Sequence, residues 1–394
     1  MTLVWLAGIV GAATDTLLYV FPRILSAEEI EPGTIGWIMA IHNVTLLAGL
    51  ALGGRVMNRI GPRWMLLLGC VGAAAGCLLY IPGGEGDRLV FYFAGRALHG
   101  LGLAGMIIAI NGQALHAADV DKRGQTMGFT TLPGYLVLAF TPWIAEVMAN
   151  ARLERQLFAA AAVLCLVQMV FALAMRREPD LEAPEPTRSD PDANPDRRFA
   201  LLMLFWVMTG FLMAYSRFLI ALASEHKGAW TFAAFFGCYG IAAFVSRLVL
   251  EPFLRRRLSM VTMLSLACLI PLTAAAAAAL HGWPAFGLVG LIFGFALGTF
   301  YPTLVQAIVE PVPRAQLMTR VGRMQAANML GTLVALPIAG ALAEHFGDAV
   351  ALWIGAMVCL TIQVMFLMRI AGAATSTRVR ETSLTAPPTF EVGK

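Results

Sequence analysis

Two ionisable residues of opposite sign sit inside long apolar runs, where a charged group costs several kcal/mol unless it is paired or hydrated. They are Asp15, in Thr14-Asp15-Thr-Leu-Leu-Tyr19, and Arg96, in Arg96-Ala-Leu-His99-Gly100-Leu-Gly102. A carboxylate beside a guanidinium gives up its proton readily. Withdrawing the guanidinium or drying the site favours the protonated form. Such a pair can load and release a proton as its surroundings change. The other use open to it is a fixed ion pair that only holds helices together. Asp15 lies about eight positions before the end of its run. Arg96 lies about eight after the start of its own, which crosses the opposite way. Both are hence ~12 Å deep from the same side at the helical rise. Equal depth lets them meet if the two helices are neighbours.

Other polar side chains within the runs are candidates to line a substrate cavity: His42, Asn43, His99, Asn111, Gln113 and Asn328, with the hydroxyls of Tyr19, Tyr215, Tyr239 and Tyr301. Asn, Gln and His also serve as interhelical hydrogen-bonding groups, and aromatic rings as packing or interface residues. Arg217 and Arg247 lie near the ends of their runs, where a long cationic side chain snorkels to the interface. Arg247 also has Glu251 one helical turn away.

The elements that carry these residues are membrane helices. Hydrophobic residues make up 59% of the chain and charged residues 13%, against about 25% charged in soluble domains. Twelve apolar runs are each long enough to cross a ~30 Å hydrocarbon core. We place them at 3–22, 34–56, 64–82, 89–115, 125–148, 156–175, 199–222, 231–252, 259–280, 285–309, 322–342 and 350–370. Helix is required because backbone groups in lipid must be satisfied within their own segment. The first run has no basic flank, contains Asp15 and lacks a small-residue cleavage site, so it reads as a retained helix and not a signal peptide.

The chain also repeats itself. An offset of 194 residues takes Arg23 to Arg217, Arg63 to Arg257, Gly100 to Gly294 and Gly128 to Gly322. Six runs in each half with a common register imply an all-α integral membrane protein of twelve helices in two pseudo-symmetric six-helix halves. We assign 1–175 and 199–370 to these halves. Residues 176–198 are rich in proline and acids and read as a flexible cytoplasmic tether, and 371–394 as a disordered cytoplasmic tail. The six cysteines all lie in runs and read as packing residues. No cluster suggests a metal, no glycine-rich loop suggests a nucleotide, and we expect no cofactor and no enzymatic activity.

Basic residues set the orientation. With the N-terminus inside, the inner loops and tail hold twenty Lys and Arg and the outer loops five. Both termini are therefore expected in the cytoplasm, and the net charge of +4 reports topology instead of an affinity for nucleic acid.

The loop after the second run reads Gly54-Arg-Val-Met-Asn58-Arg59-Ile-Gly61-Pro-Arg63. It resembles the G-x-x-x-D-[RK]-x-G-x-[RK] loop signature of the major facilitator superfamily, and the resemblance covers almost the whole chain. Arg96-x-x-x-Gly100-x-Gly102 is similar to a signature of proton-coupled members, and Thr14-Asp15…Tyr19 with Pro22 to a pattern in some drug:proton antiporters. The resemblance implies a gate loop at Gly54, Asn58, Arg59, Gly61 and Arg63. Asn58 stands where that family carries an aspartate, so charge pairing at this gate is lost. The glycine–proline-rich antiporter signature of the fifth run is only partly matched, by Pro133-Gly134 and Thr141-Pro142.

The resulting expectation is a multi-pass inner-membrane transporter working by alternating access and probing no partner but its substrate, protons and the bilayer. It would act as a monomer and export a small organic molecule against protons, with Asp15 as proton carrier and Arg96 as its partner. Proton symport or facilitated import of a sugar or organic acid is the alternative. A non-transporting sensor or scaffold is the reading from a different class.

Overall fold

The computed structural model describes residues 2–82, 88–116, 132–174, 197–309 and 317–384. Among them every regular element is helical. Twelve helices are long and apolar enough to span a membrane. In chain order the first six are α1 (Leu3–Ala27), α2 (Pro32–Met57), α3 (Arg59–Leu79), α4 (Leu89–Ala114), α5 (Leu132–Asn150) and α6 (Glu154–Ala174). The second six are α7 (Phe199–Ala223), α8 (Thr231–Arg255), α9 (Met260–Ala279), α10 (Trp283–Ile308), α11 (Arg323–Phe346) and α12 (Asp348–Gly372).

Several ends differ from those drawn from hydropathy. Helix α1 runs five residues past 22, through a 3-10 turn at Leu18–Val20, so Asp15 lies more than a turn farther from that end of its helix than the run suggested. Helix α3 starts at Arg59 and follows α2 almost without a break. The direction change falls at Gly61, whose φ of 81° is left-handed and favours glycine. The signature glycine of this loop is thus a backbone requirement. Residues 125–131 of the fifth run lie outside the described residues, as do 176–196 of the tether and 385–394 of the tail. Arg197 and Arg198 already belong to the helix leading into α7. The final helix continues beyond its apolar part to Leu384, so the first portion of the segment read as a tail is helical. Helices α10 and α11 carry Pro302 and Pro337 within their length.

The repeat reappears in packing. Gly100 on α4 lies against the backbone of α2 at His42, where an added Cβ would collide with the carbonyl oxygen. Its equivalent Gly294 on α10 lies in the same way against Tyr239 on α8. Small residues are what let helices approach this closely where no water drives them together.

Across the halves α2 packs on α11, and α5 on α8. A Cβ built at Gly36 would lie 2.6 Å from the Leu336 carbonyl oxygen and 3.3 Å from the Gly340 Cα. Overpacking of this kind costs about 1–3 kcal/mol. Gly36→Ala is therefore expected to lower the denaturation temperature of the detergent-solubilised protein. An unchanged temperature would show that α2 and α11 separate freely.

Charged groups reinforce these seams at one end of the molecule. Glu146 on α5 is fully buried and binds Arg23 of α1 at 3.0 Å. Its two oxygens also accept from the Trp230 and Ala233 backbone amides at 2.8 and 2.7 Å, which closes the N-terminus of α8. Glu344 of α11 does the same to α2, accepting from the Gly33 amide at 3.1 Å. A carboxylate at a helix N-terminus satisfies orphan N–H groups and meets the positive end of the helix dipole. Both contacts cross from one half to the other, and together they seal this end.

Candidate functional site

Below that seal a cavity of about 280 Å³ lies between the halves. Helices α1, α2 and α4 line one side and α7, α8 and α11 the other. Asp15, Tyr19, His42, Asn43, Arg96 and Asn328 of the sequence candidates all face it. Leu18, Leu46, Leu103, Ile107, Phe218, Phe236 and Leu336 make most of the remaining wall apolar. A few polar groups on an apolar wall suit a small amphipathic molecule.

Asp15 and Arg96 share the cavity without touching. Among the described residues neither forms an ion pair of the kind seen in Arg23–Glu146 and Arg255–Glu251. The expected pairing of Asp15 with Arg96 is therefore not made in this conformation. Arg96 is 4% exposed and its Nε has no hydrogen-bond partner. Its guanidinium carbon lies 5.5 Å from the centroid of the Phe21 ring, within cation–π range.

The third charge in the cavity is one that sequence reading placed elsewhere. Arg217 does not snorkel to an interface. It faces the cavity from α7, with Nε donating to the Met213 carbonyl at 3.1 Å and Nη1 to the Tyr19 hydroxyl at 3.3 Å. Its charge also lies 5.5 Å from the Tyr19 ring centroid. The clue available beforehand was the arginine's company, Tyr215-Ser216-Arg217 in an otherwise apolar run. Thr332 adds a further hydroxyl-bearing residue that the sequence did not single out.

Several candidates lie off the cavity wall. His99 is fully buried behind His42, with ring centroids 5.1 Å apart and neither ring nitrogen partnered. Tyr215 turns towards α12 and donates to the Ala351 carbonyl at 2.6 Å. Tyr239 is absent from the lining but sits just behind it, its ring on Phe293 and its phenol beside Arg217, while Tyr301 packs on Trp206. Asn111 and Gln113 are half-buried on α4 beyond the lining. Arg247 stands over the Tyr301 ring at 4.7 Å, and Glu251 pairs with Arg255 in its place.

In the gate loop, Gly54 and Arg59 are exposed and Arg63 half-buried. The Asn58 side chain lies outside the described residues, and so do residues 310–316 that follow α10. The latch implied by the resemblance is therefore not visible.

The architecture is shared with solved transporters. The inward-open conformation of the xylose transporter from E. coli superposes with a TM-score of 0.73 at 12% identity, covering 93% of this chain and 94% of that one. The human organic anion transporter MFSD10 gives 0.69 at 15% identity, over 93% of this chain and 98% of that one. At such identities the likeness speaks for the fold alone. Multidrug resistance protein 1 of Bacillus subtilis (strain 168) is 22% identical over 216 residues, 54% of each chain, so the match spans about half the length of that curated relative. A family model described as Major Facilitator Superfamily matches residues 3–270 and again 199–390. Two overlapping matches that together span nearly the whole of a repeated twelve-helix bundle around a central cavity establish that this chain belongs to the major facilitator superfamily and is a membrane transporter, not an enzyme.

Proposed function

We propose that this chain is a proton-coupled secondary transporter that moves a small organic molecule by alternating access, with Asp15 as the proton-carrying group. The observation that carries this reading is the convergence of Asp15, Arg96 and Arg217 on one cavity between the halves. Rocking of the halves changes the distance between the carboxylate and the guanidiniums and so changes how tightly the proton is held. With the twenty-to-five bias of basic residues, the termini are cytoplasmic and the membrane is an inner or plasma membrane. The sealed end at Glu146 and Glu344 then faces outwards, and the cavity is the inward-facing one. Each chain carries both halves and works as a monomer.

Direction depends on how proton and substrate interact. Competition for Asp15 makes proton entry drive export, the arrangement supported by the motifs around Asp15 and Arg96 and by the name of the Bacillus relative. Mutual assistance makes both move together. Two guanidiniums against one carboxylate favour that second arrangement. The test is internal pH in proteoliposomes of the purified chain, challenged with amphipathic cations, sugars and organic acids. Internal pH changing with one compound supports coupling and gives its sign; compound uptake with no pH change removes the proton from the mechanism.

A further inference from the structure

The charge balance of the central cavity is informative about its cargo. Asp15 is the one carboxylate among the described lining residues, and it is faced by Arg96 from one half and Arg217 from the other. Neither arginine takes part in an ion pair. Arg96 is almost fully buried with its Nε unpartnered. Arg217 donates to the Met213 carbonyl and the Tyr19 hydroxyl, and the Tyr239 phenol stands beside it, so its neighbours are neutral groups apart from Asp15. A buried cation left without a counter-ion is costly.

We propose that the cavity takes a small organic anion, its acidic group held between Arg96 and Arg217 and its apolar body against Leu46, Ile107 and Phe236. The proposal rests on the reading that this cavity is the transport site. With Asp15 ionised the three charges sum to +1, so one anionic group neutralises the site and a cationic cargo adds to the excess. Carboxylate and phosphonate share the geometry that a guanidinium recognises with paired N–H groups. A volume of about 280 Å³ limits the cargo to a short-chain or single-ring acid in this conformation. Because one arginine comes from each half, binding ties the halves to the cargo.

The same geometry fixes the sign of coupling. The cargo's acidic group and the Asp15 carboxylate repel each other and compete for the same two guanidiniums. Protonation of Asp15 removes that competition, so proton and anion assist each other's binding and travel together. The charged and titratable groups around Asp15 are Tyr19 on its own helix, His42 on α2, Cys77 and Tyr80 at the end of α3, Cys165 on α6, Arg96 on α4 and Arg217 on α7. Of these the two arginines carry the fixed charge.

The experiment is thermal denaturation of the solubilised full chain with benzoate, hexanoate and phenylphosphonate, against benzamide, hexanamide and benzylamine. The expected result is stabilisation by at least one of the acids and by none of the uncharged or cationic analogues. In Arg217→Gln the concentration for half the effect should rise about thirty-fold or more, the low end for removing one partner of a buried charge pair. Arg217→Lys keeps the charge and should retain part of the effect, and it serves if the glutamine variant does not fold. Equal stabilisation by an amide or by benzylamine overturns the proposal, and so does the absence of any response to the three acids at millimolar concentration. Proton movement in vesicles separates this from the transporter reading. Coupling to benzylamine leaves the proton carrier standing and removes the anion site. Acid binding without proton movement leaves the anion site and removes the proton carrier.

Discussion

Asp15→Asn vesicles will show no substrate-driven proton movement, down to the level of protein-free vesicles, while the protein folds and denatures much as the wild type does. The structural cost is small because Asp15 is half-buried, faces the cavity and makes no ion pair in this conformation. Asparagine keeps the shape and polarity of the side chain, so the loss stays at the ordinary ~1 kcal/mol of a point substitution, although Arg96 and Arg217 lose the carboxylate they face. The functional cost is complete because no other carboxylate among the described residues lines the cavity. Asparagine also imitates the protonated side chain. If the cargo is an anion, the variant should bind it at least as tightly as the wild type and with no dependence on the charge state of residue 15. The measurements are internal pH under a substrate gradient and acid-dependent stabilisation in detergent. Wild-type proton movement in this variant would sink the assignment of Asp15.

Glu146→Gln should have the largest effect on conformation. One carboxylate, itself fully buried, holds the 13%-exposed Arg23 and closes the N-terminus of α8 through two amides. Breaking a buried ion pair by neutralising one partner costs about 3–5 kcal/mol, because the other charge stays behind uncompensated. Arg23 keeps only its 3.0 Å contact with the Asn150 side-chain oxygen Oδ1. The glutamine amide group also presents N–H donors where α8 already offers its own, so at least one contact becomes repulsive. The seal across the halves should loosen, with a lower denaturation temperature and faster maleimide labelling of Thr332→Cys from the side carrying residues 28–31. Unchanged labelling and denaturation would mean that the α2–α11 seam alone closes this end.

The fold was legible because its constraints act within single segments. A run that crosses hydrocarbon must be apolar over a fixed length and must satisfy its own backbone groups, so composition alone located all twelve spans. The 194-residue register also carried through to contacts, as Gly100 and Gly294 show by holding α4 to α2 and α10 to α8. Where an end is set by a turn, hydropathy misplaced it: Gly61 and the 3-10 turn in α1 move boundaries by several residues.

The site was legible only in part. Asp15 and Arg96 stand out because charge inside an apolar run is conspicuous, and Tyr19, His42, Asn43 and Asn328 followed from polarity. His99, Tyr215 and Tyr301 have the same polarity, yet they pack away from the cavity because of where their helices face, and Tyr239 stands behind Arg217 without lining the cavity. The sequence by itself determined the twelve helices, the two halves and the presence of a carboxylate and a guanidinium at membrane depth. Only the tertiary structure decided that Arg217 completes the charge set, that Asp15 and Arg96 stand apart, and that Glu146 and Glu344 close helices of the opposite half. Those outcomes depend on which helices become neighbours across the halves, between residues 84 to 311 positions apart, and no local pattern encodes which partner a buried charge will meet.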